Sequence, residues 1–461
     1  MRQEKDSLGT MELPDDAYYG IQTLRAVENF PISELHSHPV FIRSYAILKK
    51  ACARANERAG ALKPELSNSI QSVCNEIIEG QLRDQFVVDV FQAGAGTSTN
   101  MNLNEVIANR ALEKMQKDRG DYKTVSPNDH VNMSQSTNDT YPTAMRLAAI
   151  ALLRERMLPA IETLRLSFLT KAAEFDNVVK SGRTHLQDAV PVTLGQEFGA
   201  WREMMLRHER RLKEAEADIS FLGIGGSAAG SGLNTPVGYR GYVVEELRAE
   251  TGFELHESTD LFEAMQSLAP FVHLASALKN LALDIIKISG DLRLLASGPM
   301  TGFAEILLPA VQPGSSIMPG KVNPSILEMV SQVAMQVVGC ETVVSYGSQG
   351  GQLELNVMMP VVQFNLMFAM EIFSNALEIL ARKCIDGITA ERERMQHYAE
   401  TSGSLVTALA PEIGYLLAAE IAKESLKTKR SIRTLVLERK LMDEKKLNEV
   451  LNIEKMAKGI L

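Results

Sequence analysis

Cysteine is scarce in this sequence: Cys52, Cys74, Cys340 and Cys384 are the four present in 461 residues, and no two form a C-x-x-C pair. That excludes a disulfide framework and a thiolate metal cluster, and it leaves reduced thiols of the kind a cytoplasmic protein carries. Long apolar runs are missing too. No uninterrupted stretch reaches the roughly 18 apolar residues that a membrane span requires, so no membrane partner is expected. The opening MRQEKDSLGT lacks the apolar core of a secretory signal, and none is expected. Basic tracts are absent and the formal net charge is -9, which argues against nucleic acid as a partner. Strand signals are few, with short β-branched runs at Val87-Val88-Val90 and Val178-Val179 that predict at most small hairpins. His36 and His38 stand two apart in an irregular segment without acidic or thiol neighbours, so no metal is expected there.

What is present is helix. Apolar residues recur at helical spacing over Phe41–Ala59, Pro64–Gly80 and Asn104–Met115. Gly94-Ala95-Gly96 reads as a loop, and so does Gly120–Asn132. Thr140–Phe175 carries a 3.6-residue pattern interrupted by Pro159, and Gly195–Ile219 is a charged amphipathic helix. Thr259–Ser297 reads as nearly continuous helix with a kink at Pro270; unbroken, it would span roughly 58 Å. Helices that long imply a bundle. Ser325–Val344 and Leu355–Ala381 are apolar on much more than one stripe, the second nearly all the way round, and a helix apolar all round must be buried on all sides. One chain has too few neighbours to cover them, which predicts an oligomer with a shared core. Beyond about Ala390 the sequence turns to short helices with alternating charge. The expected fold is therefore mainly α, in three parts: 1–138, a central long-helix bundle over 139–393, and a small C-terminal helical domain over 394–461.

Four clusters of small hydroxyl and amide residues lie beside the long helices. They are Gly94–Ser98, Ser134–Asp139, Gly182–Asp188 and the loop Gly314–Pro324. Each offers several neutral donors, and two add a titratable group, His185 and Lys321. This is an inventory for gripping carboxylates: hydroxyls and amides orient the oxygens, and an ammonium balances charge. Singly, each has a plainer reading. SQSTND also suits a helix N-cap, and Thr184-His185 also suits a structural histidine. Gly320-Lys321 does not fit the phosphate-loop spacing, and Gly223-Ile224-Gly225-Gly226 does not fit a dinucleotide fingerprint.

Jointly the clusters are specific. The loop GSSIMPGKVNP matches the consensus G-S-S-x-M-P-x-K-x-N. GTSTNMNLNEVIANRA, HVNMSQSTND, GRTHLQDAVP, GSGLNTP, DLRLLASGP and GQLELNVM follow in matching order. On these motifs the chain resembles the aspartase/fumarase superfamily over essentially its whole length. Thr97-Ser98 and Thr137, with DAYYGIQTLRAVENFPIS near the start, resemble its aspartase branch. The run Asp260–Met265 looks more fumarase-like, and Met300 and Met359 stand where aspartases commonly have Arg and an acid.

The resemblance implies an elimination that needs no cofactor or metal, acting on a small dicarboxylate. It implies Ser315 as general base. Thr97, Ser136, Thr137 and Ser316 would hydrogen-bond the β-carboxylate as charge develops on it. Lys321, Asn323 and Thr184 would hold the α-carboxylate. Asn138 and His185 would contact the amine, with His185 paired to Glu328. It further implies a homotetramer whose sites combine residues of several subunits. The activity it suggests is reversible deamination of L-aspartate to fumarate; fumarate hydration and lyase action on a modified aspartate are the alternatives.

Overall fold

A computed structural model describes residues 1–460. Strands β1 (Arg2–Asp6) and β2 (Gly9–Leu13) form an antiparallel hairpin. Helix α1 (Ile21–Asn29) follows, then α2 (Pro39–Arg58) and α3 (Pro64–Ile78). Both α2 and α3 open on a proline, whose fixed φ and missing N–H suit a first helical turn. Helix α4 covers Thr97–Lys114 and α5 covers Thr137–Leu152. A π turn at Leu153–Met157 carries α5 into α6 (Leu158–Glu174). The turn shifts the hydrogen-bond ladder just before Pro159, which has no N–H to give. The interruption expected at Pro159 is thus a change of pitch, and the helix runs on.

The hairpin of β3 (Val179–Thr184) and β4 (Gln187–Thr193) leads into α7 (Leu194–Ile219). Strands β5 (Phe221–Leu222) and β6 (His256–Glu257) pair in parallel around α8 (Tyr239–Thr251). The continuous helix expected over Thr259–Ser297 is divided into α9 (Leu261–Gln266) and α10 (Ala269–Leu295). Ser267 is extended, as the chain before a proline-containing first turn tends to be, so Pro270 starts a helix and kinks none. Strand β7 (Ile306–Leu307) precedes α11 (Ser325–Gln349) and α12 (Met359–Lys383) and pairs with β8 (Thr389–Ala390). Six short helices end the chain: α13 (Arg392–Thr401), α14 (Val406–Ile413), α15 (Tyr415–Thr428), α16 (Ile432–Glu438), α17 (Glu444–Val450) and α18 (Ile453–Lys458). No strand forms at Val87–Val90, where Asp89 makes only an isolated bridge to His36.

The chain divides into two compact units, each assembled from three segments. The first holds residues 1–159, 208–283 and 334–374. Its core includes Phe41, Tyr45 and Tyr141, whose ring centroids lie 5.0–6.1 Å apart in tilted and edge contacts. Each such ring removes ~150–250 Å² from water. The second holds residues 160–207, 284–333 and 375–461. Phe168, Phe175, Phe198 and Trp201 pack there at 4.8–6.2 Å. Its C-terminal helices close on a cluster of their own that includes Leu409, Ile421, Leu435, Val436 and Leu447.

Helix α12 is long and apolar enough to cross a membrane by composition, and 56% of that window is buried inside the protein. It is a core helix. It also leaves Phe368 partly exposed, as α10 leaves Leu283 and α11 leaves Met335 and Tyr346.

Candidate active site

In the first unit the expected site residues sit at two helix N-termini. Ser136 caps α5: its Oγ accepts the Asn138 N–H at 3.2 Å, and its own N–H donates to Asp139 Oδ1 at 3.0 Å. The reciprocal cap fixes Thr137 and Asn138 in the first turn, where free N–H groups and the helix dipole favour an anion. Asp139 also ties this turn to the glycine-rich run, accepting N–H groups of Gly225 and Ser227, each at 3.0 Å. Burial pushes its carboxyl up to about 7 against the pull of those N–H groups. Asn138 Nδ2 donates to the Ala228 carbonyl at 2.8 Å.

Thr97 is exposed as the first residue of α4. Helix α4 begins seven residues earlier than the apolar pattern predicts, because the left-handed Gly96 (φ +81°) turns the chain into it. A side chain on Gly96 would stand inside the Tyr141 ring, so the backbone approach needs glycine. One turn beyond Thr97, Asn100 Nδ2 donates to Thr137 Oγ1 at 3.0 Å and joins the two N-termini. Since Thr137 Oγ1 accepts that bond, its proton is left to donate outward.

In the second unit Thr184 ends β3, and His185-Leu186 form the two-residue turn to β4. Both turn residues have positive φ, 54° and 57°, the geometry that Asn-Gly normally serves. His185 is thereby held out at an exposed hairpin tip. The base of the hairpin is pinned by buried charge. Lys180 Nζ lies 2.8 Å from Glu197 and 3.1 Å from Glu305, and Arg183 reaches Glu305 at 2.9 Å. Arg183 also stacks 4.3 Å from the Phe303 ring centroid. His185, Lys180, Arg183, Glu197, Trp201 and Asp291 help line a cavity of about 500 Å³. A cavity of about 560 Å³ among the C-terminal helices contains none of the expected residues.

The loop from Gly314 to Pro324 is closed at its neck. Gly314 N–H donates to the Lys321 carbonyl at 2.8 Å, and Asn323 Nδ2 donates to the Gly314 carbonyl at 2.6 Å. A Cβ on Gly314 would come within 2.5 Å of the Asn323 nitrogen, so the neck also needs glycine. Inside the loop Ser315 Oγ accepts the N–H groups of Ile317 at 3.2 Å and Met318 at 3.0 Å. Two N–H groups aimed at one hydroxyl oxygen favour its anion, which is what a serine base requires. Ser316 and Lys321 are exposed on the same loop. Asn323 gives one amide N–H to the neck, a scaffolding part that its sequence motif does not reveal, and keeps the other to donate. Glu328 sits in the first turn of α11. Among the described residues no hydrogen bond links it to His185 within the chain.

Lys49, Lys180 and Glu305 are polar residues of these networks that lie outside every motif, while Asn100, Asn132 and Gln135 lie inside motifs that gave them no role of their own. A signal existed for Asn100 and Asn104: asparagines four apart inside a helix are poor helix formers and imply a tertiary partner.

Residues 9–339 match the family model described as Lyase, and residues 405–458 match Fumarase C C-terminus. The chain belongs to the aspartase/fumarase superfamily. It is 46% identical to an aspartate ammonia-lyase of a Bacillus species, over 99% of this chain and 97% of that one. A relative of the same name from Pseudomonas aeruginosa is 47% identical over 99% of this chain and 96% of its own. Among solved structures, a Brucella melitensis fumarate lyase:delta crystallin bound to cobalt is 47% identical, with a TM-score of 0.96 and 99% of both chains covered. A class II fumarase from Schistosoma mansoni is 34% identical, with a TM-score of 0.95 and 99% of both chains covered. This chain is accordingly an aspartate ammonia-lyase-like lyase by full-length homology. All four of its thiols are buried and free, and burial, which pushes Cys52, Cys74 and Cys384 up to about 12 and also raises Cys340, disfavours their thiolates. Of the departures from the superfamily pattern, Met300 is exposed and Met359 is buried at the start of α12.

Proposed function

We propose that this chain catalyses the reversible deamination of L-aspartate to fumarate and ammonia. Ser315, as alkoxide, removes the proton from the carbon beside the β-carboxylate. The electron pair left behind moves into that carboxylate and gives an aci-carboxylate dianion. Thr97, Ser136, Thr137 and Ser316 donate hydrogen bonds to it. When the dianion collapses, the carbon–nitrogen bond on the opposite face breaks and the double bond of fumarate forms. Lys321, Asn323 and Thr184 hold the α-carboxylate, while Asn138 and His185, paired with Glu328, attend the departing amine. The observation that carries the base assignment is the pair of N–H groups on Ser315 Oγ, from Ile317 and Met318. Preorganised donors of this kind are typically the largest catalytic term. The choice of ammonia as leaving group follows the full-length likeness to relatives named aspartate ammonia-lyase.

Exposed apolar residues on the long helices, Leu283, Met335, Tyr346 and Phe368, support assembly into an oligomer, in this reading a homotetramer with shared sites. We keep the division into 1–138, 139–393 and 394–461; the separate match over 405–458 supports its small C-terminal part. Four unpaired thiols go with a cytoplasmic location. Fumarate hydration is the second reading, favoured by the fumarase-like run Asp260–Met265 and by the Schistosoma structure. The deciding assay follows fumarate absorbance and ammonia release from purified protein given L-aspartate or malate. Fumarate from L-aspartate with equimolar ammonia is expected; fumarate from malate alone would transfer the chain to the hydratases.

A further inference from the structure

Lys49 lies in the middle of α2 and has no solvent exposure. Its ammonium group bonds only neutral oxygens: Asn132 Oδ1 at 3.0 Å and Gln135 Oε1 at 2.8 Å. The Tyr45 ring centroid lies 5.5 Å from it. Among the described residues no carboxylate comes within ion-pair distance of it, although the same helix pairs Lys50, Arg54 and Arg58 with glutamates. The one buried acid nearby, Asp139, is occupied by the N–H groups of Ser136, Gly225 and Ser227. A buried, unpaired ammonium is unfavourable, and burial lowers its pKa to about 8. Such a group persists where something else uses its charge.

The hydrogen bonds show where that charge is directed. Asn132 Oδ1, besides accepting from Lys49, accepts from Asn100 Nδ2 and Asn104 Nδ2, each at 3.2 Å. Asn100 Nδ2 in turn donates to Thr137 Oγ1. Gln135, the second partner, donates to the Val131 and Met133 carbonyls at 3.0 and 3.1 Å and so holds the turn that precedes Ser136. Lys49 therefore lies at the root of a continuous network whose other end is the α5 N-terminus. That terminus presents Ser136, Thr137 and Asn138, hydroxyls and an amide without a formal charge among them.

We propose that Lys49 is a positioning residue for the substrate's β-carboxylate. Its buried charge provides the cationic potential that the neutral donors of the α5 N-terminus lack, and its bonds to Asn132 and Gln135 fix the turn that aims them. This rests on the dicarboxylate reading given above. The need is greatest in the dianion, where one more negative charge gathers on that carboxylate.

The test uses the full-length protein with Lys49→Met, close in length and neutral. We expect unchanged far-UV circular dichroism and oligomer size. The KM for L-aspartate and the Kd for succinate, measured by calorimetry, should both rise at least about tenfold. A purely structural role would instead lower the active fraction and kcat, and leave the Kd of the folded protein as it was. A folded Lys49→Met enzyme with wild-type succinate affinity overturns the proposal. Should Lys49→Met fail to fold, Asn100→Ala severs the link to Thr137 and leaves Lys49 in place. Weaker succinate binding there supports the network, and unchanged binding overturns it. The deamination reading fails separately, if the wild type binds succinate yet forms no fumarate from L-aspartate. A wild type that binds no succinate at all overturns both.

Discussion

At the scale of single residues, Ser315 and Asp139 make different demands on measurement. Replacing Ser315 with alanine removes the proposed base and leaves the loop neck intact, because the neck is closed by Gly314, Lys321 and Asn323. Turnover of L-aspartate should fall roughly 10³-fold while the protein elutes as the same oligomer; wild-type rates in that variant would remove Ser315 from its role. Asp139 concerns stability. Burial raises its folded pKa from the ordinary carboxyl value of 3.8 to about 7. A raised carboxyl favours the folded state most when protonated, so its contribution is full below pH ~4 and lost as pH rises through ~7. Asp139→Asn should therefore gain in Tm relative to wild type as pH rises from 4 to 7, and paired melts across that range check it. Ser315, Lys321 and the SQSTND residues were legible in the sequence because they share short motifs. Lys49 and Glu305 were not. A charged residue outside any motif reads as surface until its partner is known, and their partners lie far along the chain, as Arg183 and Glu305 do 122 residues apart.

At the scale of elements, the hairpin tip and the start of α4 carry strain for a purpose. Leu186 has φ 57° at a turn position that suits glycine, and its side chain is exposed. Leu186→Gly should relieve about 1 kcal/mol of left-handed strain and raise Tm by about one degree, with little change in rate. A lower Tm would mean that Leu186 contributes contacts worth more than its strain. Gly96→Ala should do the opposite, because its Cβ meets the Tyr141 ring and its φ is already unfavourable. We expect a loss of about 3 kcal/mol, read from urea denaturation. Long helices were legible from periodicity to within a few residues at most ends. The exceptions have local causes: a left-handed glycine starts α4 early, an extended Ser267 divides α9 from α10, and a π turn absorbs Pro159.

At the scale of the whole molecule, the mainly helical architecture was legible from composition and period, whereas the interleaving of the two compact units was not. Each unit draws on three separated segments, and no local pattern announces which distant segments will meet. The apolar surface of α11 and α12 gives the clearest test at this scale. Tyr346 is 72% exposed on α11 and Phe368 38% exposed on the mostly buried α12. Tyr346→Asp with Phe368→Asp should dissociate the proposed homotetramer, detected by sedimentation, and abolish activity while helix content is retained. A double variant that stays associated would place the contact elsewhere.

The neck of the Gly314–Pro324 loop has a kinetic consequence. Two hydrogen bonds close it into a ring, and the bonds from Ile317 and Met318 to Ser315 brace it from within. A ring braced in this way should move as one body. A fluorophore placed on exposed Ile317 should then report substrate arrival as one relaxation, with Ser315 and Lys321 arriving together.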